Sequence, residues 1–331
     1  MLHFFKLIRF PNLVIIALTM IGVRYGLLEP LWRSVIKDML ERGYLVRGIG
    51  LQMTGINFSL LVISTVFIAA AGYIINDYFD TKTDRINKPN KVFVGRTIQR
   101  RAAIILHISL SFIGLLIAVY LAYYAGNIKL ALIQVFSIAA LWFYSIQLKK
   151  QLLAGNILIA ILAALVPITT GIYEFASGSL INLQILNNAV PEMGSFILKK
   201  GAFMVIGYAS FAFLSNLFRE IIKDIEDIEG DLEDGCRTLP IVIGVEPSKF
   251  IAMSLVIFTS IFLGLVQQFI WKWNLIILFY FTLIAVQGPL IYILYILWNS
   301  YDKFSYGRAS LVCKIIISTG VISMFIFRFI Q

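Results

Sequence analysis

Carboxylates recur at one spacing in two separate places. Residues 76–84 read NDYFDTKTD, with Asp77, Asp80 and Asp84 at offsets 0, 3 and 7. Residues 219–240 read REIIKDIEDIEGDLEDGCRTLP, where Asp224, Asp227 and Asp231 repeat those offsets. At about 100° per residue, such positions fall within about 60° of one another on a helix. Each triplet therefore presents one acidic face if its helix continues that far, and Asn76, Asp80 and Asp84 share a similar face. Like charges at this spacing repel, and desolvation beside a membrane adds to the cost. Carboxylate oxygens are hard ligands, and Mg²⁺ is held by a few of them together with substrate phosphates. A pair of Mg²⁺ ions bridging a diphosphate accounts for both clusters at once. Arg85, Lys88, Lys91 and Arg96 follow the first motif, and Lys223 and Arg237 flank the second. Such cations suit phosphate oxygens and balance charge as a diphosphate leaves. A single acid-rich stretch after an apolar run is usually a solvated connection. Two with one spacing, each followed by basic residues and a glycine, favour the metal reading. Neither has the calcium-loop pattern with Glu at its twelfth position.

The elements that must position these motifs are apolar. Hydrophobic residues make up 60% of the 331-residue chain and charged residues 14%, against about 25% charged in soluble domains. About nine runs approach the roughly 20 apolar residues that a span requires. They lie near 10–28, 57–76, 102–124, 128–147, 152–173, 201–222, 249–270, 275–298 and 309–329. The expectation is an all-α, polytopic helical bundle around a central cavity, with a polar cap carrying the motifs. It forms a single membrane domain over 1–331. Within it, 29–56 is a non-spanning insert expected to hold a short amphipathic helix, 76–101 and 219–248 are the motif loops, and 174–200 is a long outer loop. With the N-terminus cytoplasmic, Lys and Arg divide about 17 inside to about 10 outside, the sense of the positive-inside rule. Both motifs then lie on the cytoplasmic side, of the inner membrane if the source is bacterial. Lys6 and Arg9 before an apolar stretch look like a signal peptide, but no small-residue cleavage site follows. A retained first span after a Phe-rich interfacial segment is expected.

The net charge of +10 suits short cytoplasmic loops and anionic lipid. No polar domain interleaves basic and aromatic residues, so nucleic acid is not an expected partner. Cys236 and Cys313 are far apart and His3 and His107 are the only histidines. That excludes a disulfide framework, a zinc knuckle and haem ligation by paired histidines.

The motif-bearing residues resemble a known family. NDYFDTKTDRINKPNK resembles the NDxxDxxxD signature of the UbiA-type intramembrane prenyltransferases. REIIKDIEDIEGD followed by RTLP resembles their second motif, and YSIQLKK at 144–150 resembles the YSxxLK element after their fourth span. The resemblance implies Mg²⁺, a prenyl diphosphate donor and transfer of the prenyl group to a lipophilic acceptor within the bilayer. Carried over by position, it implies metal and diphosphate roles for Asn76, Asp80 and Asp84, with Asp77 beside them, and for Asp224, Asp227 and Asp231. Arg85, Lys88 and Lys149 fall where the family has basic residues. NKPNKVFVG departs from the common NKPxRPxxxG, with Lys91 for Arg and Val92 for Pro.

In the implied reaction Tyr144 either lends π density to an allylic cation or is an interfacial aromatic. Asn216, Arg219 and Glu220 either line the cavity beside the second motif or pair with one another. The second motif looks most like the branch that alkylates geranylgeranylglyceryl phosphate, forming an ether. A quinone precursor such as 4-hydroxybenzoate or a naphthoate is the alternative acceptor, because motif residues serve the donor alone. A cation-coupled transporter would place its ionisable residues mid-span. A CDP-alcohol phosphotransferase would carry one contiguous DGxxAR-type element, absent here. Protein partners, oligomeric state and prenyl chain length stay open.

Overall fold

The computed structural model describes residues 2–44, 50–87, 92–176 and 193–330. Short α1 (Leu2–Leu7) leads into α2 (Phe10–Ile21), with Pro11 in its first turn, where a missing N–H costs nothing. The helix passes through a π-helical stretch, Gly22–Leu28, into α3 (Glu29–Glu41). Next come α4 (Gly55–Phe79) and α5 (Thr81–Asn87), then α6 (Arg100–Tyr124), α7 (Leu132–Ile146) and α8 (Ala154–Ala176). The second half comprises α9 (Met193–Glu226), α10 (Ile228–Glu233), α11 (Leu239–Ile243) and α12 (Val245–Lys272). It ends with α13 (Ile276–Thr282), α14 (Gly288–Trp298) and α15 (Lys303–Ile330). Pro289, near the start of α14, cannot donate to the preceding turn, and Leu283–Gln287 before it winds as a π-helix.

Among the described residues nine helical stretches are long and apolar enough to cross a membrane. They coincide with the nine apolar runs of the sequence. The chain is an integral membrane protein, and its fold is the expected all-helical bundle. The first of the nine stretches is longer than the sequence suggested. It reaches Glu41 because α3 continues the axis of α2 through the π-helical turn.

That turn carries a buried charge. Arg24 pairs with Glu174 at 2.6 Å, their side chains 4% and 2% exposed. Glu174 also accepts the backbone N–H groups of Gln52 and Met53, at 3.1 and 3.4 Å, and Arg24 donates to the Met53 carbonyl. The Arg24 guanidinium lies over the Phe58 ring at 4.6 Å. Thr54 then caps α4, accepting from the Asn57 N–H at 3.2 Å. A lone buried charge inside a membrane costs several kcal/mol. The pair therefore ties the chain leading into α4 to the π-helical turn of the first stretch and to the end of α8, far along α4 from Asn76–Asp80.

Small residues let the outermost spans meet. A methyl group on Gly26 would stand 2.6 Å from the Met324 carbonyl oxygen of α15, and one on Gly22 would meet the Met324 sulfur at 2.8 Å. Backbone cannot yield as a flexible side chain does. Gly26→Ala is expected to cost about 1–3 kcal/mol through overpacking, read as a lowered melting temperature in detergent.

Candidate functional site

Both aspartate motifs break their helices at the same register. α4 ends at Phe79 and Asp80 caps it with φ −82° and ψ 5°. α9 ends at Glu226 and Asp227 follows with φ −99° and ψ 9°. A short helix continues from each break, α5 with Asp84 and α10 with Asp231. The backbone bonds correspond as well: Asp80 to Asn76 and Asp84 to Asp80, Asp227 to Lys223 and Asp231 to Asp227. The single acidic face expected from continuous helices is thus bent at its middle aspartate. The bend spreads three like charges around a corner, easing the repulsion that one face would impose.

The two corners are clasped. α5 packs on α10. Asn87 donates its amide to the Asp227 carbonyl at 2.9 Å and accepts the Gly230 N–H at 3.1 Å. A Cβ on Gly230 would come within 2.4 Å of the Asn87 amide nitrogen, so glycine permits the approach. The 148–150 turn joins in from the end of α7. Lys149 pairs with Asp80, Lys150 pairs with Asp234 at 2.6 Å, and the Lys150 carbonyl accepts the Arg237 N–H at 2.8 Å. Burial pulls the Lys149 ammonium down to about 8, whereas the hydrogen bond to Asp234 raises Lys150. Burial pushes the nearby Cys236 thiol up to about 11.

Each inner carboxylate has its own partner. Arg9 reaches Asp77 at 2.9 Å and lies over the Tyr73 ring at 5.1 Å. Arg9 holds a left-handed conformation, φ 49° and ψ 51°, which costs a non-glycine residue about 1–2 kcal/mol. The ion pair and the ring contact offset that cost. Asn76 donates to Asp80 at 2.6 Å, and Asn156 donates to Asp224 at 2.7 Å. Among the described residues no three acidic side chains come close enough to hold a metal unaided. The Asn76 Oδ1 atom is buried without a hydrogen-bond partner, an oxygen donor in the face it shares with Asp80.

Beneath the cap lies a cavity with about 1780 Å³ of empty space, counting the part open to the outside. It is framed by α2, α4, α7, α8, α9 and α15. Its upper wall carries Arg9, Asn76, Tyr144, Asn216, Arg219, Glu220 and Lys223. Below these the wall is mainly apolar, with Ile15, Leu141, Leu162, Val166 and Met324, and is broken by the polar side chains of Gln134, Ser137 and Thr169. From Lys223 to Tyr208 along α9 the lining runs fifteen residues, about 22 Å at 1.5 Å each. Tyr208 and Phe211 form the floor with Gly320, and the Tyr208 hydroxyl is 2.8 Å from the Ser323 hydroxyl. Tyr144 sits in the field of Glu220, Lys223, Asp224 and Arg9. Lys223 interacts electrostatically with both Asp77 and Asp227, one from each motif.

The structure therefore gathers Asn76, Asp77, Asp80, Tyr144, Lys149, Asn216, Arg219, Lys223, Asp224 and Asp227 around one cap, with Asp84 and Asp231 on the clasped short helices. Asn216, Arg219 and Glu220 line the cavity; Arg219 pairs with Glu220, whereas Asn216 donates to the Ala212 carbonyl of its own helix at 2.8 Å. Arg85 and Arg237 have exposed side chains. Lys88 and Lys91 lie outside the described residues. Arg9, Asn87, Asn156 and Lys314 also belong to the site, and spacing did not reveal them. Asn87 lies in the motif stretch and Arg9 in the N-terminal segment, but only the folded chain brings their partners. Asn87→Ala removes two hydrogen bonds, at a cost of about 1–3 kcal/mol. It is expected to weaken binding of a diphosphate at the cap while the bundle stays folded in detergent, as read by its KM alongside thermal melting.

The comparisons agree with this geometry. The UbiA prenyltransferase family model matches residues 45–311. The digeranylgeranylglyceryl phosphate synthase of Thermococcus sibiricus is 33% identical over 81% of this chain and 84% of its own. A solved structure concerned with digeranylgeranylglyceryl phosphate synthase in membranes shares the fold over 98% of both chains, with 22% identity and a TM-score of 0.61. A UbiA homologue from Archaeoglobus fulgidus, bound to GPP and Mg²⁺, shares it over 97% of this chain and 99% of its own, with 16% identity and a TM-score of 0.56. With the family model spanning most of its length, both clasped motifs included, the chain belongs to the UbiA prenyltransferase family.

Proposed function

We propose that the protein transfers a geranylgeranyl group from its diphosphate to the free hydroxyl of geranylgeranylglyceryl phosphate, forming the second ether bond of a membrane lipid. The observation that carries the donor half is the pair of aspartate motifs, broken at one register and clasped by Asn87 above an apolar cavity. The similarity to digeranylgeranylglyceryl phosphate synthases supports the acceptor. Both motifs and the N-terminus share one face of the bundle, through Arg9 and Asp77, and the distribution of Lys and Arg favours the cytoplasmic side for that face.

The donor set suits Mg²⁺. It offers the carboxylates of Asp80, Asp84, Asp227 and Asp231 with the orphaned Asn76 oxygen. Among the described residues no three acids suffice alone, which fits an ion that takes part of its shell from substrate phosphate. Mg²⁺ bound there supplies positive charge to the diphosphate as it departs. Asp77 and Asp224 hold Arg9 and Asn156 at the rim of the site. Lys223, between the motifs, and Lys149, beside Asp80, meet the phosphate oxygens, with Arg85 of α5 adding positive charge at the edge of the cap. The apolar wall takes up the prenyl chain and excludes water, so the allylic cation meets the acceptor oxygen instead, and the hydroxyl proton passes to the departing diphosphate. Tyr144, beneath the cap, presents its ring to the positive charge developing at C1.

Asp80→Ala and Asp227→Ala are each expected to lower turnover by a factor of about 10²–10⁴, or roughly 2.7–5.5 kcal/mol of barrier, without loss of folded protein. Unchanged turnover in either would refute the metal assignment. The acceptor is tested with purified protein, Mg²⁺ and geranylgeranyl diphosphate. Product is expected with geranylgeranylglyceryl phosphate and not with 4-hydroxybenzoate or a naphthoate; the reverse pattern would replace the lipid acceptor with an aromatic one.

A further inference from the structure

Lys314 is a cation of the cavity that donor chemistry leaves without a task. It lies within α15, a membrane-spanning helix, and lines the same cavity as Arg219. An ionisable side chain inside a span is costly and marks a functional surface. The depth of Lys314 follows from packing. α9 and α15 lie against each other. A Cβ on Gly307 of α15 would stand 3.4 Å from the Glu226 carboxylate at the end of α9. Lys303, at the start of α15, also reaches Glu229 in α10 at 3.4 Å. The two helices therefore run in opposite directions from a shared level. Seven residues onward from Gly307 is Lys314, and seven residues back from Glu226 is Arg219. Both sit about 10 Å below the contact. Cys313, next to Lys314, lies in the field of Arg219 and Glu220.

Charge sharpens the point. Among the described lining residues the cations are Arg9, Arg219, Lys223 and Lys314, against Glu220. Asp77 faces Arg9 and Asp227 faces Lys223, so the motif acids engage the two upper cations, while Arg219 and Lys314 lie deeper in the cavity. Charged donors of this kind suit the oxygens of a phosphate monoester. Arg219 is one helical turn below Lys223, which interacts with Asp227 of the donor motif. An anion held at Arg219 and Lys314 would thus lie about 6 Å beneath the diphosphate. The acceptor needs that separation, because its phosphate and its reactive hydroxyl sit on adjacent glycerol carbons.

We propose that Lys314, together with Arg219, binds the phosphate monoester of the acceptor, as a second anion site beneath the one for the donor diphosphate. The site rests on the glycerol-phosphate reading of the acceptor. The test compares wild type, Lys314→Met and Lys314→Arg with geranylgeranyl diphosphate, Mg²⁺ and either geranylgeranylglyceryl phosphate or its dephosphorylated alcohol. Losing one charged hydrogen bond should raise KM for the phosphorylated acceptor about 10- to 100-fold. Donor KM should be unchanged, the preference over the alcohol should collapse, and Lys314→Arg should restore it. Should Lys314→Met fail to fold, Lys314→Gln carries the same comparison. A retained preference for the phosphorylated acceptor, or a rise in donor KM instead, overturns the assignment while leaving the acceptor reading intact. A wild type that turns over only aromatic acceptors overturns both.

Discussion

The organising constraint is the cost of gathering carboxylates at the edge of a low-dielectric bundle. Left alone, six aspartates on two converging faces would repel one another and lose hydration. The structure answers with a separate partner for each inner acid. Asp77 has Arg9, Asp80 has Lys149 and Asn76, and Asp224 has Asn156. Those partners come from α4, α8, the 148–150 turn and the residue preceding α2. The cap is therefore a meeting point of distant segments rather than a property of either motif.

The same constraint explains the bends at Asp80 and Asp227. A straight helix would keep all three acids of a motif on one face. Breaking it after Asp77 or Asp224 turns the third acid onto a short helix, where Asn87 and Gly230 lock the two turns together. The clasp closes over the polar end of the cavity, whose deeper wall is mainly apolar. Polar chemistry is thus held at one end of a space suited to a hydrocarbon chain. At the opposite face the Arg24–Glu174 pair anchors the start of α4, so that helix is fixed at both ends.

Much of this was legible in the sequence. The nine apolar runs correspond to nine helical stretches among the described residues, because length and hydropathy decide what a bilayer accepts. The repeated spacing 0, 3 and 7 announced two matching motifs, and they do adopt matching backbone conformations. The family followed from residues 76–91, 144–150 and 219–240, since motif residues of that kind answer to local chemistry.

What the sequence by itself determined was therefore the membrane class, the motif pair and the family. The tertiary structure alone decided which cation answers which acid, where each motif bends, and which in-span charges share a cavity. Arg9 and Asp77 are separated by 68 residues, and Asn87 and Gly230 by 143. Lys314 and Arg219 reach one level only because two antiparallel helices meet at Gly307 and Glu226. Periodicity reports which residues share a face of one helix. Which faces meet depends on the packing of the whole bundle, and that register is written in no single segment.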